Sequence, residues 1–277
     1  MIINRYKIDY TGGSLSDPKV FLKDSLFDNT KIYSDFRKKE CYEIMPTQPD
    51  FEIILTEKKD NLAQLTEIID KINLDKKFIF IKVTYNLGMF HVAGILINTH
   101  RKIIEYVDSM PADQSEDFDQ ELRKFINNNE KLKTFKFHGL NEVYGSYNFY
   151  PNLGYGEYDY PPPQNTENQL IGTAYRAFND DLKNDDDLEY FESLKSNESL
   201  QNFIKNYNSS AGGTCIFWTY HIINKVVENN ITVVDFIQKA DWYKSSSYLE
   251  IGLKVIKYII NEITNNVLNC VRLKLKN

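Results

Sequence analysis

Apolar residues recur at Leu62, Leu65, Ile68, Ile69 and Ile72. Steps of three and four put them on one side of a helix, so a helix is predicted over 62–72. The period then changes. Phe78-Ile79-Phe80-Ile81-Lys82-Val83 is a near-continuous apolar run that reads as a buried strand. Two further apolar runs, 89–97 and 103–108, flank the polar tip Asn98-Thr99-His100-Arg101-Lys102 and read as a β-hairpin. Helix is expected over 117–127 and another strand over 131–138, so a sheet of at least four strands precedes Cys215. From Cys215 an apolar stretch of helical length runs to Asn229 and Asn230. Near the C-terminus, Leu249, Leu253, Ile256, Ile260, Ile263 and Val267 form a helical stripe that must pack against something. Strands followed by helices indicate an α+β protein.

Between Gly139 and Gly213 lies a region rich in Tyr, Gly, Pro, Asn and Asp. It is too long for a plain connection within a compact domain, and segments of this kind serve as lids or binding loops. Asn148-Phe149-Tyr150-Pro151 and Tyr155–Tyr160 would either line a substrate groove or pack on themselves. A helical insertion is expected from about 169 to 206. The resulting organisation is an N-terminal extension, 1–75, packed on a domain of 76–277 that carries an insertion at about 139–210.

The chain has 277 residues, enough to bury a sizeable core without cross-links. Its three cysteines, Cys41, Cys215 and Cys270, are too few and odd in number for a disulfide framework and suit a reducing, intracellular setting. The N-terminal residues lack the apolar core of a signal peptide, and no run approaches the roughly 18 apolar residues of a membrane span. Net charge is −6, and 180–198 alone holds eight acids against two lysines. The remainder is balanced, without the basic patch that nucleic-acid binding as a main function would require. The acidic segment reads as a solvated face, with a docking site for a basic partner as the alternative.

One position carries a chemical signature. Cys215 follows Ala211-Gly212-Gly213-Thr214 and opens the apolar helix. A helix start presents unpaired N–H groups and a partial positive charge that favours the thiolate, and the glycines leave room for a substrate backbone. A base and an acid lie upstream in the hairpin: a turn centred between Thr99 and His100 sets His91 opposite Asp108, within reach of a carboxylate–imidazole bond. A slip of one residue would send the two to opposite faces. His221, six residues beyond Cys215, is turned about 240° away on the same helix and reads as structural. His100 sits at the hairpin tip, and His138 ends a strand with only Glu142 as a nearby acid. Cys41 and Cys270 lack the glycine-rich approach. The histidines and cysteines show no short metal-ligand spacing, and no phosphate- or dinucleotide-binding glycine pattern is present, so no metal or cofactor is expected.

The order His91, Asp108, Cys215, together with Gly212-Gly213-x-Cys215-x-x-Trp218, resembles the papain-like cysteine peptidases that include the adenovirus protease and the SUMO-specific proteases, and especially their relatives in large DNA viruses. Asp108-Ser109 at a strand end resembles the family's acid position, and Tyr160-Pro161-Pro162-Pro163-Gln164 resembles the loop that supplies a glutamine. The resemblance spans roughly 75–265. It implies a papain-like core with a mixed or antiparallel sheet, and a Cys215–His91–Asp108 triad. A side-chain amide, from Gln164, would assist the oxyanion. It also implies a protein substrate, either a viral precursor or a ubiquitin-like conjugate cleaved after a small residue, often glycine, in a host cytoplasm or virion. Two features depart from the pattern. Val92 stands where the family commonly has an aromatic residue, and Ser209 and Ser210 occupy the neighbourhood where many members carry the glutamine. Gln164 needs a long insertion before Cys215, and Gln201 and Asn208 are rival amides.

Two other functions use the same residues differently. Bacterial effector acetyltransferases share the His, acid, Cys order but need acetyl-CoA and usually a basic polyphosphate pocket, for which no basic cluster is evident. A non-catalytic peptidase-like scaffold would not require all three triad residues.

Overall fold

The structure, a computed structural model, describes residues 47–56, 61–86, 90–111, 113–150, 155–166 and 215–244, together with 251, 252, 254, 255, 258 and 262. The chain divides into two compact units: Met45–Asn165 with Gly212–Ala240, and Met1–Ile44 with Thr166–Ala211 and Asp241–Asn277. In the first, the elements are β1 (Phe51–Leu55), α1 (Asn61–Lys71), β2 (Phe78–Asn86), β3 (Phe90–Asn98), β4 (Ile103–Val107), α2 (Asp113–Asn128), β5 (Lys136–His138), α3 (Leu140–Tyr144), β6 (Tyr147–Tyr150), β7 (Tyr155–Tyr158), α4 (Cys215–Asn229) and α5 (Val233–Gln238).

The fold is α+β. Strands β1 to β5 form one mixed sheet in sequence order, and β6 and β7 form a separate antiparallel hairpin. β1 pairs parallel to β2 across the α1 crossover, and β4 pairs parallel to β5 across α2; the two central pairings, β2–β3 and β3–β4, are antiparallel. β1 lies within the segment expected to be an N-terminal extension. Its alternation buries Ile53 and Leu55 while leaving Ile54 exposed, and its register with β2 makes it an edge strand of the same unit. Residues 139–165, expected to begin the insertion, supply α3 and the β6–β7 hairpin, both also in this unit. The expected helix at 169–206 lies outside the described residues.

Two local expectations are corrected. The strand expected over 131–138 is confined to Lys136–His138. Asn129 turns the chain before it, its side chain accepting from the N–H of Lys131 at 3.0 Å and its carbonyl from that of Lys133 at 2.8 Å. The hairpin register is also shifted by two: Asn98 pairs with Ile103 and Gly94 with Val107. The tip closes over four residues because Asn98 Oδ1 accepts the Arg101 N–H at 3.0 Å and Lys102 adopts a left-handed φ of 52°. His91 is therefore not directly opposite Asp108. A shift of two preserves the face, however, and brings the pair into a diagonal relation that a long side chain can span.

The sheet carries helices on both faces. Phe118 of α2 packs edge-on against Tyr85 and Tyr106. On the opposite face of β3, Gly94 admits α4: a Cβ added there would come within 2.8 Å of Ile223 Cδ1, 3.0 Å of Phe80 Cε2 and 3.1 Å of Thr219 Cγ2. α4 ends where the sequence predicts, with Asn230 in left-handed conformation at φ 51° directly after it. Its Ile222, Ile223 and Val226 are fully buried, as is Trp218. Among the described residues no helix is long and apolar enough to cross a membrane.

In the second unit, a short 3-10 turn spans Asp241–Lys244, with the Trp242 ring 4.9 Å from that of Tyr258 and Val255 fully buried. The apolar stripe from Leu249 to Val267 falls on positions outside the described residues.

Candidate active site

The site begins with the seating of α4. Thr219 donates its hydroxyl to the Val92 carbonyl at 3.0 Å, so the helix is pinned to β3 one residue beyond His91. Cys215 lies four residues earlier, about one turn up the same side of α4. One buried contact thus sets the height of the thiol relative to the start of β3. Cys215 itself is buried and is the first residue of the helix.

His91 bonds through Nε2 to Asp108 Oδ1 at 2.7 Å. Burial alone would depress the imidazole; the Asp108 carboxylate and then the Cys215 thiol outweigh it and push the pKa up to about 10. The other ring nitrogen, Nδ1, is buried and makes no hydrogen bond. The thiol is near enough to perturb the ring, although no hydrogen bond of normal geometry joins it to Nδ1.

Asp108 is completely buried and receives donors on both oxygens. Oδ1 takes His91 and the Met110 N–H at 2.9 Å; Oδ2 takes the Ser115 hydroxyl at 2.6 Å and the Tyr106 hydroxyl at 3.3 Å. Burial works against its ionisation, but His91 and these donors prevail and hold the carboxyl below its ordinary range. Its backbone carbonyl accepts from the Tyr144 hydroxyl at 2.5 Å, which ties the strand end to α3. Tyr106 in turn shares a hydroxyl–hydroxyl bond with Tyr85, the residue paired with His91 across β2 and β3. Burial raises both phenols well above their ordinary range, so they remain neutral donors.

Gln164 is buried next to the acid. Its backbone N–H donates to the Ser109 carbonyl at 3.1 Å, and its Oε1 accepts the Ser109 hydroxyl at 2.8 Å. With the oxygen occupied, the amide nitrogen is the end left to donate. Both of these bonds join Gln164 to Ser109 and neither reaches Cys215 or His91. Gln201 and Asn208, the rival amides, lie outside the described residues, as do Cys41, Cys270 and the two glycines before Cys215.

The other histidines are accounted for differently. The His221 ring stacks on Phe217 at 5.2 Å, and burial, with the Lys225 charge adding to it, pushes its pKa down to about 3, so it is neutral. His138 has a buried acid partner that its sequence neighbourhood conceals. Its Nδ1 bonds Glu105 at 3.1 Å, the residue beside it across the parallel β4–β5 pair, and Glu105 also accepts the Val233 N–H at 2.9 Å. Ser115, Tyr106 and Tyr144 are the residues of the site that sequence reasoning missed. Ser115 has no motif around it, and the only signal was an unusual polar position on the apolar face of α2.

One unit thus holds an imidazole fixed through Nε2 to a buried carboxylate, a second ring nitrogen without a hydrogen bond, and a buried thiol whose presence raises the imidazole. Neither any family model nor any curated protein matches the chain.

Proposed function

We propose that the protein is a papain-like cysteine peptidase that hydrolyses peptide or isopeptide bonds in protein substrates. The observation that carries this reading is the buried His91–Asp108 pair, with Nδ1 unbonded and Cys215 acting on the ring. Leaving a buried ring nitrogen without a partner costs about 1–3 kcal/mol, which a catalytic use of that nitrogen would explain.

In this mechanism Cys215 has passed its proton to His91 Nδ1, and Asp108 stabilises the imidazolium and fixes its orientation. The thiolate attacks the substrate carbonyl. The oxyanion is met by backbone N–H groups at the start of α4 and by the Gln164 amide. The C–N bond breaks as His91 gives its proton to the leaving amine, forming a thioester. His91 then takes a proton from water, the hydroxide attacks the thioester, and the acid product leaves as the C–S bond breaks, regenerating the Cys215 thiolate and the His91 imidazolium. By the family resemblance, the scissile bond follows a small residue, often glycine, in a precursor or a ubiquitin-like conjugate.

A ubiquitin or SUMO probe bearing a C-terminal electrophile tests the reading. Labelling of the wild type, lost in both Cys215→Ala and His91→Ala, is the expected result. Labelling that survives Cys215→Ala would reject the nucleophile, and absence of labelling in the wild type would reject ubiquitin-like conjugates as substrates.

A further inference from the structure

We infer that Ser115 is a positioning residue for the His91–Asp108 pair, acting through the carboxylate oxygen that the histidine does not use; this rests on the peptidase reading above. The Ser115 hydroxyl has one proton to give, and it goes to Asp108 Oδ2 at 2.6 Å. The competing donor, Tyr106, is at 3.3 Å and also bonds Tyr85. Ser115 therefore carries most of the hydrogen bonding on that oxygen, in a place where neither group reaches solvent: Ser115 is 2 % exposed and Asp108 0 %.

Its geometry is set by packing. Ser115 stands in the first turn of α2, and Phe118, on the same helix, is wedged edge-on against Tyr85 and Tyr106. The ring fixes how α2 sits over the sheet, and so where the hydroxyl points. Asp108 is then held from three elements: β3 through His91, its own strand end through the Met110 N–H, and α2 through Ser115. The titratable groups that bear on it are His91 from β3, Cys215 through His91 from α4, Tyr85 and Tyr106 from β2 and β4, and Tyr158 from β7; the phenols are all raised by burial and stay neutral. Loss of the Ser115 donor frees that oxygen to move and concentrates the negative charge of the carboxylate on the His91 side, so the pair loses its fixed geometry while the imidazolium is held more tightly.

The test is an NMR titration of the His91 ring nitrogens in the full chain, alongside kcat and KM for the probe-derived substrate. In Ser115→Ala the His91 inflection rises from about 10 by up to roughly one pH unit, because the Asp108 carboxylate no longer shares its negative charge with a hydroxyl donor and attracts the imidazolium more strongly. kcat falls while KM holds, and Ser115→Thr restores both. Ser115→Cys keeps the volume but offers only a weak S–H donor; it gives the same upward shift and serves if the alanine variant does not fold. An inflection unchanged in both Ser115→Ala and Ser115→Cys would overturn the inference. Because the titration requires no turnover, a shifted inflection in a protein whose Cys215 reacts with no ubiquitin-like or peptide electrophile and which cleaves no peptide substrate would sink the peptidase reading while upholding the Ser115 contact.

Discussion

Replacing His91 with glutamine removes a group whose protonation the fold shifts strongly on the alkaline side of neutral pH. The imidazole rises from an ordinary value of 6.5 to about 10 in the folded protein. A group raised on folding contributes stability that is fully present below its unfolded value and is lost as pH climbs through its folded one. At 1.36 kcal/mol per unit, the 3.5-unit interval from 6.5 to about 10 sets an upper bound of about 5 kcal/mol. A single hydrogen bond to a charged partner sets a lower figure of about 1.5–3 kcal/mol. Urea unfolding of wild type and His91→Gln, followed at intervals from pH 6 to 10.5, isolates this contribution, because the lysines and tyrosines that titrate in the same range cancel in the difference. The stability gap between the two proteins should be widest at pH 6 and narrow by about 2–5 kcal/mol toward pH 10. A gap that stays level across that range would show that His91 is not held as an imidazolium by Asp108, and the ion-pair argument would fail with it.

Other consequences follow from particular contacts. Gly94→Val forces side-chain carbon against Phe80, Thr219 and Ile223, so it should cost about 1–3 kcal/mol by thermal unfolding; because α4 carries Cys215, labelling should slow in molecules that still fold. Glu105→Ala strips a buried acceptor from both His138 and the Val233 N–H and should destabilise the fold by about 2–4 kcal/mol in calorimetry, with the rate of Cys215 labelling per folded molecule unchanged. Gln164→Ala should lower kcat by about 10²–10³-fold if its amide meets the oxyanion, with steady-state kinetics as the measure; unchanged kcat would reassign Gln164 to bracing Ser109 alone.

How much of this protein could be read from its residues alone depends on how local the governing forces are. Periodicity placed α1, β2, the β3–β4 hairpin and α4, because a side chain's burial repeats every two or 3.6 residues whatever the rest of the chain does. The left-handed residue after Asn229 was foreshadowed by the Asn-Asn pair, since asparagine tolerates that conformation. The candidate site was legible only in outline. Cys215 at an apolar helix start and a His–Asp pair in one hairpin are local patterns, but the two-residue shift in register came from the side chain of Asn98 and the backbone of Lys102, which no hydrophobic pattern reports.

What tertiary structure alone decided is which distant groups share a site. Gly94 offers α4 a flat surface on β3, and Thr219 pins it there beside His91, 128 residues earlier in the chain. α2 delivers Ser115 to Asp108, and the chain returns at Gln164 to Ser109. β1, assigned by sequence to an extension, joined the sheet because a parallel partner is chosen across a helix-length crossover and leaves no trace in nearby residues. Local sequence sets each element's own geometry; the burial of a carboxylate, a thiol and an imidazole together is a property of packing, because only contacts between elements can remove those groups from water and give each its partner.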